Sequence, residues 1–320
     1  MSSRATPALA PASSLRVGLA LVTLYLVWGS TYLAIRVAVE TIPPLTHSAV
    51  RFLIAGSLLY LVTFRSGDAA GDRPSRLQWR DAAVIGGLLL AGGNGLLAVG
   101  EQTVPSGIAA LIIATLPLWV AILGRVFFGV VLTRTIVAGT LIGFAGVAVL
   151  VWPTGGSGGL DPFGVAVVLL SPVFWATGSL YSRTAHVPRR PLVGTAMQML
   201  AGSAVLFVLA VATGEIFRVR VAEITPASLT AVGYLILVGS LVGYTAYVWL
   251  LRVAPISLIA TYAFVNPVIA VILGSLILAE PLEPRTLAAG AIIVVAVAVI
   301  VRARRGESRR AAPEEVAEPG

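Results

Sequence analysis

One arginine stands well inside an apolar run, Arg51 within residues 46–65. A charged group at the centre of a bilayer costs at least ~2.5–3.5 kcal/mol, so such a residue usually faces a cavity or a partner. A guanidinium binds a carboxylate through two parallel hydrogen bonds. The sequence therefore predicts that Arg51 anchors a substrate carboxylate or other anion. A structural pair with Glu101, or with backbone carbonyls near the outer surface, is the alternative.

Two prolines mark polar points in other apolar runs. Thr115 stands two residues before Pro117, and Asn266 directly precedes Pro267. Because proline lacks an N–H, it removes a helical hydrogen bond and frees a carbonyl. We expect Thr115 and Asn266 to line a substrate site and the two prolines to act as hinges. A kink that only shapes the helix bundle is the alternative.

Aromatic and amide side chains complete the expected site. Trp28 and Trp175 each stand eight residues before an arginine, and Gln198 corresponds in the second half of the chain to Arg51 in the first. Packing or anchoring at the membrane interface is the alternative for each ring, and close helix packing is the alternative for Asn94. The residues predicted to line a pocket for an amphipathic or aromatic solute are Trp28, Tyr32, Asn94, Trp175, Gln198, Tyr244 and Tyr262.

The acidic residues limit the ways in which transport could be coupled to protons. Proton-driven carriers usually place an Asp, Glu or His in the membrane interior, and here only Glu101, near the outer mouth, is a candidate proton-linked group. Facilitated transport and antiport both stay open. The chain has no cysteine, no His/Asp/Glu cluster at metal-ligand spacing and no phosphate-binding loop, so we predict no cofactor, no metal and no enzyme activity.

The composition requires membrane helices to position these residues. Hydrophobic residues make up 58% of the 320 residues and charged residues 11%, whereas a soluble domain carries roughly 25% charged residues. About 20 apolar residues cross ~30 Å of hydrocarbon. We predict an all-α integral membrane protein with ten transmembrane helices near residues 17–38, 46–65, 81–100, 105–127, 133–152, 162–182, 191–213, 227–250, 255–279 and 284–302.

The basic residues orient the chain. The net charge is +8, and all 22 basic residues are arginines. Most of them lie in the two tails and in every second connection, whereas the alternate connections carry only Arg218, Arg220 and Arg285. The positive-inside rule therefore predicts cytoplasmic N- and C-termini in a cell (inner or plasma) membrane. Because the charge has this membrane explanation, we expect no nucleic acid partner.

The two halves of the chain repeat. The run from Pro105 to Pro117 corresponds to the run from Pro255 to Pro267, with the same proline spacing. Five spans per half is an odd number, so the second half enters the membrane inverted, as in alternating-access carriers. We expect a cytoplasmic N-terminal tail (1–16), a first repeat (17–152), a Gly-rich linker (153–160), a second repeat (161–302) and a disordered cytoplasmic tail (303–320).

Short motifs along the chain add a family resemblance. They are Trp28-Gly-Ser-Thr-Tyr32, Pro43-Pro-Leu45, Val50-Arg-Phe-Leu53, Gly93-Asn-Gly95, Val104-Pro-Ser-Gly-Ile-Ala-Ala110, Ala114-Thr-Leu-Pro117, Ala231-Val-Gly-Tyr234 and Val265-Asn-Pro267. At these positions the chain resembles the EamA-type exporters of the drug/metabolite transporter superfamily, and within it the YedA-like inner-membrane proteins. The resemblance covers about residues 20 to 300. It implies ten helices as two inverted repeats and export of small metabolites or drug-like compounds, without giving the substrate.

These observations together predict a secondary transporter. We expect it to export small metabolites, such as amino acids or similar amphipathic solutes, by alternating access. An importer of the same fold is the main alternative, because topology does not set the direction of net flux, and a channel or an intramembrane enzyme is a more distant one. The expected partners are a small-molecule substrate and the lipid bilayer, and a homodimer stays open.

Overall fold

The structure, a computed structural model, describes residues 13–65, 73–152, 160–254, 256–259 and 261–310, and in these ranges helices are joined by turns and short irregular connections. Within these ranges nine helices are long and apolar enough to cross a membrane, and α9 is a shorter apolar helix of 17 residues. The helices are α1 (Ser14–Ala38), α2 (Pro44–Arg65), α3 (Arg76–Gly100), α4 (Ser106–Phe128), α5 (Arg134–Val151), α6 (Pro162–Tyr181), α7 (Pro191–Ala212), α8 (Pro226–Leu251), α9 (Tyr262–Leu278) and α10 (Pro284–Arg310).

Local sequence signals begin several helices. Ser75 and Gln78 form a reciprocal capping box at the start of α3, and Thr133 and Thr225 cap α5 and α8. The carboxylate of Asp161 accepts the N–H of Gly164 at the start of α6 and the Thr103 hydroxyl, at 2.9 and 2.8 Å. The Thr103 hydroxyl, followed by the helix N–H groups, holds the pKa of Asp161 below its usual range because each bond favours the ionised form.

Two helices end in matched left-handed turns. Gly129 ends α4 with φ of 63°, and Ala279 ends α9 with φ of 53°. In each turn the next residue donates its N–H across the turn, from Val130 to the Gly124 carbonyl and from Glu280 to the Gly274 carbonyl, at 3.2 and 3.1 Å. Both ends are thus closed by the same αL cap, 150 residues apart.

Four helices depart from regular α geometry. Wide π segments run through α3 at Gly87–Gly95 and through α8 at Leu235–Val242, and the sequence analysis predicted neither. Helix α4 is broken between Ile113 and Leu116, and α9 is preceded by a separate short segment, Ile256–Ile259. The regular parts match the predicted spans closely.

The breaks in the fourth and ninth helices lie at different distances from the two predicted hinge prolines. In the fourth helix the break comes just before Pro117, which then lies in the first turn of the following segment, where its missing N–H costs little. In the ninth, the break comes at Thr261, and Pro267 lies inside a continuous helix. The break in α4 lies about ten residues after Pro105, whereas the break before α9 lies about six residues after the corresponding Pro255. The second break therefore comes about one helical turn earlier in its repeat than the first.

The C-terminal boundary also differs from expectation. Helix α10 continues to Arg310, eight residues past the predicted end at 302, so the predicted disordered tail from 303 starts too early. The added residues are mostly alanine, arginine and glutamate, which favour helix once the chain has left the hydrocarbon. The rest of that tail, residues 1–12 of the predicted N-terminal tail and residues 153–159 of the predicted linker lie outside the described residues.

The largest helix contacts join the two halves of the chain. Helix α2 packs along α7, α5 along α10, α1 along α8 and α9, and α6 along α3 and α4. Glycines allow the closest approaches: a Cβ on Gly86 of α3 would collide with the Gln198 carbonyl of α7. The halves are therefore interleaved rather than separate bodies.

Hydrogen bonds between connections define one end of the bundle, which we name the acidic end after Glu101, Asp161, Glu215 and Glu280. Here Glu215 accepts the N–H of Thr46 at the start of α2, at 2.8 Å. Arg285 donates to the Trp152 carbonyl at the end of α5, at 2.6 Å. Carboxylates thus meet helix N-termini and guanidinium groups meet helix C-termini, as the helix dipole favours.

The opposite end, the basic end, carries Arg80, Arg183, Arg189 and Arg190. Asp81 at the start of α3 is its one buried carboxylate among the described residues. It accepts hydrogen bonds from the Tyr181 hydroxyl at 3.0 Å and from the His186 backbone N–H at 2.7 Å. This cluster ties α3 to the connection between α6 and α7.

Candidate functional site

A cavity lies at the centre of the bundle, where seven helices meet. Its volume is about 80 Å³, several times the room that one buried water needs. Its lining residues are Trp28, Thr31, Tyr32, Ile35, Arg51, Asn94, Leu97, Ile113, Leu116, Ser171, Trp175, Tyr244, Tyr262 and Asn266.

Arg51 supplies the only charge in this lining. It lies seven residues into α2, roughly 10 Å from the helix start, and only 4% of it is exposed. Its Nε donates to the Ser240 hydroxyl of α8 at 3.0 Å. Neither terminal nitrogen has a hydrogen-bond partner among the described residues, and no carboxylate lines the cavity to neutralise it. Two parallel donors are therefore free to meet an anion.

Arg51 does not pair with Glu101 through any hydrogen bond or ion pair among the described residues. Arg36 instead occupies the neighbourhood of Glu101, where it donates to the backbone carbonyls of Glu101 and Gln102 at 2.6 and 2.7 Å. The carbonyls at the end of α3 are thus satisfied by Arg36, which leaves Arg51 to the cavity.

Aromatic rings form the wall of the cavity towards the basic end. The ring of Trp28 lies 5.6 Å from that of Tyr244, 5.2 Å from that of Tyr247 and 5.2 Å from that of Tyr262, all between centroids. Two of the three contacts are edge-to-face, the arrangement that aromatic quadrupoles favour. Beyond them the Tyr25 hydroxyl is hydrogen-bonded to Thr261. The wall is therefore closed and apolar, with phenol groups at its edges.

The two matched tryptophans each pack against a glycine from the other half. A Cβ on Gly243 of α8 would lie 2.5 Å from the indole Nε1 of Trp28, and a Cβ on Gly93 of α3 would lie 2.7 Å from Cε3 of Trp175. The two glycines are 150 residues apart and both adjoin or lie within the π segments. The wide π turns thus bring glycine backbone against the indole rings.

Uncharged polar groups complete the lining. Asn94 lies in the π segment of α3 and is 8% exposed, with its amide donating weakly to the Leu89 carbonyl at 3.4 Å. The Ser171 hydroxyl donates to the Gly93 carbonyl at 2.8 Å. The side-chain amide oxygen of Asn266, Oδ1, is buried without a hydrogen-bond partner among the described residues. A buried acceptor in that condition is costly unless a ligand or water serves it.

Not every predicted site residue reaches the cavity. Thr115 is fully buried and donates to the Ile112 carbonyl at 2.6 Å, so it closes the break in α4. Gln198 is half-buried on α7, which contributes nothing to the lining. Pro117 and Pro267 also lie outside the lining, and Glu101 lies at the acidic end of α3.

Several lining or supporting residues escaped the sequence analysis. Ser171 directly precedes Pro172 inside α6, so the same polar-before-proline signal that singled out Asn266 was present there. Thr31 lies in the hydroxyl-rich stretch between Trp28 and Tyr32. Ser240 carries no such signal, because only the π segment turns it towards Arg51.

Comparison with known proteins agrees with this arrangement. The EamA-like transporter family matches residues 16–152 and 162–302. The chain is 39% identical over 282 residues to the uncharacterized inner membrane transporter YedA of Escherichia coli (strain K12), covering 88% of this chain and 89% of that one. It is 26% identical over 294 residues to a probable terminal-alkyne amino-acid exporter of Streptantibioticus cattleyicolor, covering 91% and 95%.

A solved crystal structure shares the fold. It superposes with a TM-score of 0.61 at 24% sequence identity, covering 92% of this chain and 100% of the other. The resemblance inferred from the motifs is confirmed by the family match and by the identity to YedA. The chain belongs to the EamA-like transporter family.

Proposed function

We propose that this protein is a secondary transporter that exports small amphipathic metabolites bearing a carboxylate, amino acids among them, by alternating access. The observation that carries the proposal is the Arg51 guanidinium, buried on the central cavity, whose terminal nitrogens have no hydrogen-bond partner in the part of the chain that the structure describes. A fixed buried charge without a counter-charge is costly, so its retention favours a ligand that supplies the opposite charge.

The remainder of the lining favours a particular shape of solute. A carboxylate at Arg51 would leave the rest of a small molecule against the wall formed by Trp28, Tyr244 and Tyr262. Indole and phenol rings suit apolar groups, and they also attract an ammonium group through their π faces. The side-chain amide oxygen of Asn266, which has no partner among the described residues, is a further acceptor for such an ammonium.

The arrangement of the two halves supports alternating access. We propose that they are inverted repeats of five helices, with the boundaries predicted above. The two αL caps, the two π segments and the crossed pairs Trp28–Gly243 and Trp175–Gly93 all recur between the halves. A site between such repeats can open to each side in turn when the halves rock against each other.

The charges support an orientation in the membrane, and a relative supports a direction of transport. We propose that the basic end is cytoplasmic, with both termini inside, in a cell inner membrane like that of the relative YedA. Export is supported by the relative named as a probable amino-acid exporter. The proposed mode is facilitated export down a gradient, because the cavity lining holds no carboxylate to carry a proton.

The test is flux through purified protein in proteoliposomes. Radiolabelled amino acids and cationic dyes would be compared, each without an imposed pH gradient. We expect saturable flux of carboxylate-bearing solutes and none of the dyes, since Arg51 repels cations.

Variants of Arg51 make the test specific. Loss of hydrogen bonds to a charged group costs about 1.5–3 kcal/mol, so Arg51→Ala should weaken binding by roughly 10- to 100-fold. Arg51→Lys keeps the charge but loses the two-pronged donor, so an intermediate loss is expected. Arg183→Ala, on the exposed basic end, serves as the matched control. Carboxylate flux that survives Arg51→Ala in a folded protein would refute the assignment.

A further inference from the structure

A second ionisable group is buried near the cavity, at the acidic end. Glu101 follows the last residue of α3 and is 0% exposed. Both of its carboxyl oxygens lack a hydrogen-bond partner among the described residues. An ionised carboxylate in that condition would pay a large desolvation cost without compensation. The conformation seen here therefore suits the neutral acid.

The neighbours of Glu101 favour the same protonation state. Glu280, after α9, has its own carboxylate fixed by the N–H groups of Ser106 and Gly107 at 2.7 and 3.1 Å. Burial raises the pKa of Glu101 well above its usual range, the nearby charge of Glu280 raises it further, and Arg36 partly opposes them. Arg36 donates its hydrogen bonds to backbone carbonyls rather than to the Glu101 carboxyl group.

The other helices around Glu101 bring few further charges. Helix α1 contributes Tyr32 besides Arg36, and α2 carries the buried His47 at the same end. The carboxylate of Asp161, at the start of α6, accepts hydrogen bonds from the Thr103 hydroxyl and from the N-terminus of its own helix. Among the described groups, Glu280 is thus the one fixed anion that interacts with Glu101.

Tyr32 connects this group to the substrate cavity. Its side chain lines the cavity, and it lies close enough to Glu101 for the two to interact electrostatically. The Glu280 carboxylate meanwhile holds the start of α4 to the end of α9, one helix from each half of the chain. Any separation of α4 from α9 at the acidic end would break these bonds and hydrate Glu101.

We propose that Glu101 is a proton-binding site that gates the acidic end: it holds a proton while that end is closed and loses the proton when that end opens. The inference deepens the proposed function and rests on it, since it takes the acidic end as the exit of the solute. It concerns the gate and leaves the driving force of transport unchanged.

The sign of the effect follows from linkage. In an open end the hydrated Glu101 would titrate near the ordinary value of about 4.3. The open state then binds fewer protons than the closed state, so a rise in pH favours opening. Between the two pKa values the equilibrium shifts by up to about tenfold per pH unit, and below both it no longer changes.

Opening can be measured without any solute. Ser106 is fully buried beside the Glu280 cap, and the chain has no native cysteine. The rate at which a membrane-impermeant maleimide labels Ser106→Cys would be divided by the rate for Glu40→Cys, which is exposed at the same end. The ratio removes the ordinary pH dependence of thiol reactivity. We expect it to rise several-fold from about pH 5.5 to about pH 7.5, with tenfold per unit as the limit.

Substitutions at Glu101 decide the assignment. Glu101→Gln mimics the protonated acid, so the labelling ratio should be low and flat with pH, whereas Glu101→Asp should keep the slope and thereby show that the site tolerates substitution. A flat ratio in the parent protein, or an unchanged slope in Glu101→Gln, would overturn the proposal.

Flux measurements separate the two proposals. With the Arg51-dependent solute, external acid should slow export by the parent protein but not by Glu101→Gln. If no solute moves while the labelling slope persists, the proposed function fails and the proton gate stands. If solute moves with the labelling ratio flat, only the gate fails.

Discussion

At the scale of the residue, the cavity is organised around a single guanidinium. Arg51 donates its Nε–H to the Ser240 hydroxyl, so the direction of its guanidinium depends on a residue from the other half of the chain. Ser240 is fully buried, which gives the bond no competition from water. It is therefore a positioning residue for the proposed anion site.

We expect Ser240→Ala to raise the half-saturation concentration for carboxylate solutes by about 3- to 10-fold, because a hydrogen bond of about 1 kcal/mol that aims Arg51 is lost. Concentration-dependent flux in proteoliposomes measures it. Ser203→Ala is the matched control, since that buried hydroxyl bonds only to the Leu200 carbonyl of its own helix. Equal effects of both variants would remove Ser240 from the site.

The residues that line the cavity as expected are those whose placement depends on the cost of burying a polar group. Arg51, Asn94 and Asn266 are polar groups that hydrocarbon would not tolerate, so their place on the cavity followed from their positions in apolar runs. Thr115 and Gln198 lie outside the lining. A hydroxyl can satisfy itself on its own helix, as Thr115 does, and the face that Gln198 presents depends on helix rotation, which one sequence does not fix.

At the scale of the element, glycines decide how closely helices approach. A Cβ on Gly86 would collide with the Gln198 carbonyl and lie 2.8 Å from the Gly202 nitrogen, both of them backbone atoms that cannot turn aside. A Cβ on Gly87 would find Val205 at 3.9 Å, an ordinary contact. The contact of α3 with α7 therefore rests on one of two adjacent glycines.

Gly86→Ala should destabilise the folded protein by about 1–3 kcal/mol, the usual cost of overpacking, whereas Gly87→Ala should be close to neutral. Thermal unfolding in detergent compares the two. Similar midpoints for both variants would contradict the packing of α3 against α7.

The left-handed turns at Gly129 and Ala279 can be tested by exchanging glycine and alanine between them. A residue with a side chain at positive φ costs about 1–2 kcal/mol relative to glycine, so Ala279→Gly should stabilise the protein by up to about 1 kcal/mol after the entropy of glycine is deducted. Gly129→Ala should destabilise it by about 1 kcal/mol, because no atom lies within 4 Å of the added Cβ and only strain remains. Thermal midpoints that shift the same way in both variants would contradict the matched caps.

At the scale of the whole molecule, charge separates the two ends of the bundle. Labelling can establish which end faces outwards, because the native chain has no cysteine. We expect Glu40→Cys to react with an impermeant maleimide on intact spheroplasts and Arg183→Cys to react only after permeabilisation, both sites being exposed. The reverse pattern would invert the proposed orientation and with it the exit assigned to Glu101.

The sequence predicts the regular helices better than it predicts their irregular segments. Run length and hydropathy indicate helices such as α2 and α7 almost to the residue, since about 20 apolar residues must span the bilayer. The π segments at Gly87–Gly95 and Leu235–Val242 lie beside the tryptophans of the other half, and the break at Thr261 lies where the Tyr25 hydroxyl is hydrogen-bonded to it. Such tertiary contacts leave no local pattern.

The breaks in α4 and α9 are displaced by one helical turn relative to each other, and the groups that close the bundle towards its two ends are unlike. The acidic end closes on capped helix ends and carboxyl groups, and the wall towards the basic end closes on aromatic rings in edge-to-face and tilted contact. A facilitator with unlike mouths can have different half-saturation constants on its two faces. Because a passive carrier cannot build a gradient, its maximal rates must then differ in the same ratio. Influx and efflux would look unequal in a kinetic assay while the equilibrium distribution of the solute stayed even.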